Sequence, residues 1–288
     1  MRSLLFVPGD QPRKIEKGLA SGADVLLIDL EDSVAPANKV AARAVARDAI
    51  AAAKEAGAAP RLFVRVNALD TGLTDDDLDL VMPSGPDGIL LPKAVSGMDV
   101  QHLAAKLAVR EAENGLPDGG TVIIAIATET AASLFTMGSY RGATHRLAGL
   151  TWGAEDLSAD LGAETNRTSD GLLTDPYRMA RVLTLFAAHA AGVAAIDSVF
   201  TAFRDDKGLA AECAAARRDG FTAKMAIHPA QVPVINAAFT PTAEAVERAR
   251  RIVALFEATP DAGVIGLDGE MLDRPHLLRA RRLLDRAG

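Results

Sequence analysis

The sequence has little of what disulfide-bonded, membrane and nucleic-acid-binding proteins need. Cys213 is the single cysteine among 288 residues, which excludes an intrachain disulfide and a cysteine-based zinc site. No apolar run approaches the roughly 18 residues that span a bilayer. Aromatic residues make up only 4%, and acidic residues outnumber basic ones by 38 to 31, which disfavours binding to polyanions. We therefore expect a soluble cytoplasmic protein with no membrane and no nucleic-acid partner.

The chain does have a regular alternation of short apolar runs and longer alanine-rich stretches. Eight runs are almost continuously apolar, as is typical of parallel strands that are buried on both faces. Their starts lie about 31 residues apart, the size of one βα unit. Eight such units favour a (β/α)₈ TIM barrel of the α/β class over a doubly wound sheet. The predicted strands are 2–7, 24–30, 61–66, 87–91, 121–127, 147–152, 193–199 and 222–227.

Long helices are predicted at 38–57, 99–114 and 175–191, the last with Asp175 as its N-cap. We assign 1–239 to a barrel catalytic domain. Residues 240–288 exceed what a barrel requires and are predicted to form a C-terminal helical extension. Its two helices, 240–257 and about 274–286, are separated by a glycine-rich break.

Polar residues follow the predicted strands at the rim where TIM barrels carry their active sites. A ring so rich in carboxylates needs a shared cation to offset their repulsion. Mg²⁺ suits this role, because it prefers oxygen and takes one or two protein carboxylates while keeping sites for water and substrate. Glu129 and Asp156 close adjacent strands, so both are predicted ligands. The alternative for each is an N-cap or first-turn acid of the following helix. The rim residues include Asp29, Glu31, Asp32, Arg65, Asn67, Lys93, Glu129, Glu155, Asp156, Asp197 and His228.

Two cationic residues stand at this rim. Arg65 alternates with Phe63 in its strand, and its planar fork suits a carboxylate or enolate oxygen of a substrate. The alternative is a structural ion pair with Asp29 or Glu31. For each of these two acids, substrate contact and helix capping are equally favoured roles. Lys93 could be a Schiff-base lysine, but the surrounding acids would raise its pKa and so argue against this role.

Eight short motifs occur in order along almost the whole chain: LFVPGD (5–10), DLEDSV (29–34), VRVN (64–67), LPK (91–93), ET (129–130), WGAEDL (152–157), IHPAQ (227–231) and GEMLD (269–273). Together they resemble the citrate lyase β-subunit-like proteins, which include malyl-CoA and citramalyl-CoA lyases, within the HpcH/HpaI aldolase superfamily.

The resemblance implies a set of site residues. Mg²⁺ would bind Glu129 and Asp156, and Arg65 would be catalytic and bind the 2-oxo acid. The backbone N–H groups of Gly153 and Ala154 would bind its carboxylate.

The resemblance also implies contributions from outside the metal site. Acyl-CoA would lie near Lys14, across the end of the first strand. Asp273 would act in trans as the acid/base, carried by a tail that covers a neighbouring subunit. A homo-oligomer, most simply a trimer or hexamer, would follow.

The implied activity is a Mg²⁺-dependent carbon–carbon lyase. It would cleave or form a 3-hydroxyacyl-CoA such as malyl-CoA, citramalyl-CoA or citryl-CoA, giving a 2-oxo acid and an acyl-CoA. Attack of water on the thioester would make the same site a thioesterase. The alternatives are a CoA-independent class II 2-oxo acid aldolase and the β subunit of a multi-subunit citrate lyase. Asp273 and the Val7–Gly9 opening argue against the aldolase.

Overall fold

The computed structural model describes residues 1–57 and 60–287 of the chain. Its first eight strands all pair in parallel, each with the next in sequence, and the last pairs with the first to close a barrel. The predicted TIM barrel is therefore confirmed, with each strand within two residues of its expected limits. The strands are β1 (Ser3–Pro8), β2 (Val25–Asp29), β3 (Arg61–Arg65), β4 (Gly88–Leu91), β5 (Val122–Ile126), β6 (Leu147–Thr151), β7 (Ala194–Asp197) and β8 (Ala223–Ala226).

Helices connect the strands. The helix predicted over 38–57 is confirmed and ends at Gly57, whose φ of 75° suits glycine. The helix predicted over 175–191 is also confirmed, but its N-cap is Thr174, and Asp175 is already helical. The α-helices are α1 (Pro12–Leu19), α2 (Lys39–Ala56), α3 (Thr74–Val81), α4 (Gly97–Glu113), α5 (Ala154–Leu161), α6 (Asp175–Ala191), α7 (Asp206–Asp219) and α8 (Gln231–Phe239). Shorter 3₁₀ helices are Pro36–Asn38, Leu69–Thr71, Met82–Ser84 and Ala132–Tyr140.

Alternate residues of the strands fill the barrel interior. Phe63 of β3 needs the space beside Gly88 of β4, where an added Cβ would lie 2.1 Å from its ring. Because Phe63 points inward, Arg65 two residues later points inward as well, at the carboxyl end of the strand. The interior cluster comprises Leu4, Val25, Leu27, Phe63, Leu90, Ile124, Ile126, Ile196, Ala223 and Met225.

The chain divides into two compact units, Met1–Asn236 and Ala237–Gly288, with the boundary inside α8. The second unit contains α9 (Ala243–Ala258), β9 (Val264–Leu267), β10 (Glu270–Asp273) and α10 (Arg274–Ala287). Its own core includes Phe256, Leu272 and Ala280.

Both helices predicted for the extension are confirmed as α9 and α10. Between them, where the sequence predicted only a glycine-rich break, β9 and β10 form an antiparallel hairpin. Asp268 and Gly269 turn the chain with φ values of 52° and 82°, as a type I′ turn requires. Among residues 1–57 and 60–287, none of the helices combines the length and apolar character that a membrane crossing demands.

Candidate active site

The carboxyl ends of β2 and β3 place Asp29 beside Arg65, since these two residues are register partners in the parallel sheet. Arg65 donates from Nε and Nη2 to the two carboxylate oxygens of Asp29, at 2.7 Å each. Its Nη1 lies 2.8 Å from Oε2 of Glu31. The ion pair that was the alternative prediction for Arg65 is thus present, with both acids.

The pKa values of Asp29 and Arg65 are shifted in opposite directions. Burial works to raise the pKa of Asp29, but hydrogen bonds and the charge of Arg65 outweigh it and hold the pKa below the usual range. Burial works to lower the pKa of Arg65, and the hydrogen bonds and charge of Asp29 raise it instead. Both groups are therefore charged at neutral pH, and Arg65 is held as a fixed cation at the rim.

Glu31 lies between two cations. Besides Arg65, it contacts Lys93, whose Nζ is 2.5 Å from Oε1 of Glu31. The same ammonium lies 3.4 Å from Asp32 and 3.8 Å from Oδ1 of Asp156. Burial works to lower the pKa of Lys93, but the hydrogen bond and charge of Glu31 raise it above the usual range. A Schiff-base role, which needs a neutral amine, is therefore disfavoured, as the sequence indicated.

Glu129 follows β5 and is 97% buried, with a side chain that accepts a hydrogen bond from the backbone N–H of Lys93. Gly153 makes room for it, because an added Cβ at that position would lie 2.7 Å from Cγ of Glu129. Burial raises the pKa of Glu129 to about 8, and the charges of Asp156 and Glu31 add to the effect. The helix-cap alternative for Glu129 does not fit this buried position.

The surroundings of Glu129 are those of a carboxylate that needs a cation. A buried acid beside other carboxylates either keeps its proton or shares a positive ion with its neighbours. Glu129 and Asp156 offer hard oxygen donors of the kind that Mg²⁺ prefers. Within the described chain, no group of three or more His, Cys, Asp and Glu side chains is arranged to hold a metal ion. A two-carboxylate site fits Mg²⁺ best, since this ion usually keeps several water ligands.

Asp156 is the third residue of α5, so the first-turn position named as its alternative is where it lies. Gly153 precedes this helix, and Ala154 begins it. Among the described residues, no side chain caps the helix N-terminus with a hydrogen bond. The first N–H groups of a helix carry a partial positive charge and suit a carboxylate ligand.

A cavity of about 540 Å³ opens beside Arg65 and Asp29. Lys14 and Lys17 of α1 line it, as does Arg65, whose guanidinium lies 5.0 Å from the centre of the Phe6 ring. Lys14 was predicted to contact the acyl-CoA and Lys17 was not, although the helical spacing of three residues places Lys17 beside it. His228, which follows β8 and was predicted at the rim, also lines the cavity, and its ring stacks on Phe203 with centroids 4.9 Å apart.

Asp197 was predicted as a member of the acidic rim, and this prediction is wrong. Ile196 belongs to the barrel interior, so Asp197 points to the outer face of β7. There it is 99% buried and accepts hydrogen bonds from Trp152, Arg181 and Lys224. Its role is in the packing between the barrel and its helices.

A hydrogen-bonded support lies behind Glu31. Lys39 donates to the carbonyl oxygens of Leu30 and Glu31, at 2.9 Å each, and to Oδ1 of Asn67 at 2.6 Å. Asn67 in turn donates to Asp77, which is fully buried against Arg43.

Asp273 lies in the second unit, at the end of β10 and directly before α10. Half of its side chain is exposed, and Oδ1 lies 2.5 Å from Nδ1 of His276. The hydrogen bond from His276 holds the pKa of this carboxyl below its usual value. The other predicted site residues all lie in the first unit.

The sequence pattern of the HpcH/HpaI aldolase/citrate lyase family matches residues 2–229. The chain is 34% identical over 285 residues to the citrate lyase subunit beta of Leuconostoc mesenteroides, covering 98% of this chain and 92% of that protein. It is 35% identical over 288 residues to a (3S)-malyl-CoA thioesterase of Cereibacter sphaeroides, with 99% and 94% covered.

A solved structure is also similar over the full length. The crystal structure of the protein CitE from Mycobacterium tuberculosis, in complex with magnesium, acetoacetate and coenzyme A, matches with a TM-score of 0.78 and 34% identity. The match covers 100% of this chain and 98% of that one.

Proposed function

Because the chain belongs to the HpcH/HpaI aldolase/citrate lyase family, we propose that it is a Mg²⁺-dependent CoA-ester lyase. It would cleave a 3-hydroxyacyl-CoA such as malyl-CoA, citramalyl-CoA or citryl-CoA into a 2-oxo acid and an acyl-CoA, or run the reverse condensation. One observation carries the proposal. The buried Glu129 and the neighbouring Asp156 lie at the same rim of the barrel as Arg65, and Arg65 lines a cavity together with Lys14 and Lys17.

Glu129 and Asp156 are the residues that would hold Mg²⁺. When bound, the ion supplies a Lewis acid that lowers the pKa of the substrate hydroxyl and offsets negative charge. The crystal structure of CitE, a relative with 34% sequence identity, contains magnesium, and this supports the proposed metal site.

Arg65 would bind the oxygen atoms of the 2-oxo acid. Its guanidinium is held by Asp29 and Glu31, so it presents a fixed charge to an oxygen that becomes negative as the C–C bond breaks. The N–H groups at the start of α5, at Gly153 and Ala154, would orient the carboxylate of the same substrate. Together they hold the 2-oxo acid while the bond breaks.

Cleavage requires two proton transfers. The substrate hydroxyl loses its proton, and its oxygen electrons form the C=O bond of the 2-oxo acid. The electrons of the broken C–C bond pass to the thioester enolate, whose carbon then takes a proton. We assign both transfers to Asp273 of a neighbouring subunit: its ionised carboxylate takes the hydroxyl proton and then delivers it to the enolate carbon. This role makes a homo-oligomer, a trimer or hexamer, necessary for turnover.

The acyl-CoA would lie in the cavity beside Lys14 and Lys17, whose ammonium groups suit the phosphates of coenzyme A. The coenzyme A in the CitE complex supports this choice. The lone cysteine favours a reducing compartment such as the cytoplasm.

The test is a product assay of the purified chain with each of the three CoA esters. We expect equal amounts of 2-oxo acid and acyl-CoA with Mg²⁺, and none with a chelator. The malyl-CoA thioesterase relatives favour a second candidate, hydrolysis of the thioester, which would yield free CoA without a 2-oxo acid. Cleavage of free 4-hydroxy-2-oxo acids instead would identify the class II aldolase. Activity that appears only with added citrate lyase subunits would identify the complex subunit.

A further inference from the structure

Lys93 contacts both carboxylates proposed as metal ligands, by two different parts of the residue. Its backbone N–H donates to Glu129, and its ammonium lies 3.8 Å from Oδ1 of Asp156. The backbone has a φ of 52°, which a residue with a side chain rarely adopts. This conformation sends the backbone N–H to one ligand and the side chain towards the other.

The ammonium has a second place to bind. Nζ lies 2.5 Å from Glu31 and 3.4 Å from Asp32, so Asp156 is the most distant of its three acidic neighbours. The ammonium can therefore move away from Asp156 and still remain paired with Glu31 and Asp32.

We propose that the Lys93 ammonium competes with the divalent cation for Asp156 and thereby sets the affinity of the site for metal. This inference rests on the proposed function, because it takes Glu129 and Asp156 as the ligands. Two cations on one carboxylate repel each other, so binding of the metal requires the ammonium to withdraw to Glu31 and Asp32. The backbone stays in place, because its N–H continues to hold Glu129.

Competition and support predict opposite results when the ammonium is removed. If Lys93 only held Asp156 in position, its loss would weaken metal binding. If it competes, its loss strengthens binding. Lys93 and Asp156 lie at the partly exposed end of the site, each with about a third of its side chain exposed. There Coulomb's law gives an effect of about tenfold for neighbouring divalent and monovalent cations. Lys93 thus acts as a competitor for Asp156, and its effect appears in the affinity for metal and not only in a rate.

The experiment is calorimetric titration of the purified full chain with Mg²⁺ at constant pH and low salt. Lys93→Met and Lys93→Gln remove the charge and keep the backbone N–H, whereas Lys93→Arg keeps the charge. Lys54→Met is the matched control, because Lys54 pairs with Asp87 before β4, at the opposite end of the barrel. We expect about tenfold tighter binding in both neutral variants, with Lys93→Arg within about threefold of the wild type and the control unchanged.

If the wild type binds Mg²⁺ and a folded neutral variant binds it equally or more weakly, the competition is overturned and the proposed function is left intact. A wild type that binds no Mg²⁺ overturns both. Circular dichroism identifies the folded variants, and the two neutral substitutions ensure that one failure to fold does not decide the result.

Discussion

The affinity of the site for Mg²⁺ is expected to rise with pH, because Glu129 must lose a proton before it can bind the ion. Its pKa is raised to about 8, first by burial and then by the charges of Asp156 and Glu31. At pH 7 about one tenth of the Glu129 carboxyl groups are ionised, and at pH 6 about one hundredth. The binding constant should therefore rise about tenfold from pH 6 to pH 7 and level off above about pH 9.

Calorimetry in two buffers of different ionisation enthalpy measures both the binding constant and the number of protons released. About 0.9 proton should leave for each Mg²⁺ bound at pH 7. Glu129→Gln should lose binding. Glu155→Gln, which removes an exposed carboxylate next to Asp156, should behave as the wild type. A wild-type binding constant that changes less than about twofold between pH 6 and pH 8, without proton release, would refute this account of Glu129.

Three further predictions concern stability, substrate binding and the trans site. Without divalent ions, the folded pKa of Glu129 exceeds its unfolded value, so the stability it contributes is complete below about pH 4.5 and is lost as pH rises towards 8. The free energy of unfolding in urea should therefore fall by about 1.4 kcal/mol per pH unit in the wild type relative to Glu129→Gln, between about pH 5 and 8. Parallel pH dependences of the two proteins would exclude the raised pKa. Arg65→Lys keeps the charge but loses the two-point contact with Asp29, so kcat/KM should fall at least about tenfold, or 1.4 kcal/mol; unchanged kinetics would leave Arg65 a structural residue. Mixing inactive Asp273→Ala and Glu129→Ala proteins should restore part of the activity after subunit exchange, and no recovery despite proven exchange would rule out Asp273 acting in trans.

The barrel was predictable because its signal is local and repeated. Each buried parallel strand is a short apolar run. Eight such runs can be counted, and their spacing matches the length of one βα unit. The inward direction of Arg65 followed from Phe63 two residues earlier. The same rule applied to Ile196 would have turned Asp197 outward, away from the rim.

The hairpin of the second unit was missed although its signal was present. Asp268-Gly269, between the segments 264–267 and 270–273, is the sequence of a type I′ turn, but the surrounding glycines were interpreted as a helix break. Other features depend on contacts that no local pattern contains. The position of the Lys93 ammonium among Glu31, Asp32 and Asp156 joins three loops that are far apart in sequence. The support of Glu31 by Lys39 and Asn67 likewise appears only when strands and helices are assembled.

The central claim, that Glu129 and Asp156 hold the catalytic metal, is tested most directly by a crystal structure of the chain grown with Mn²⁺. Manganese substitutes for magnesium at oxygen sites and is located by its anomalous scattering. We expect one strong peak bonded to oxygen atoms of both Glu129 and Asp156, at about 2.1 Å, with Lys93 turned towards Glu31. A peak that contacts neither carboxylate, or no peak at a saturating concentration of Mn²⁺, would contradict the claim.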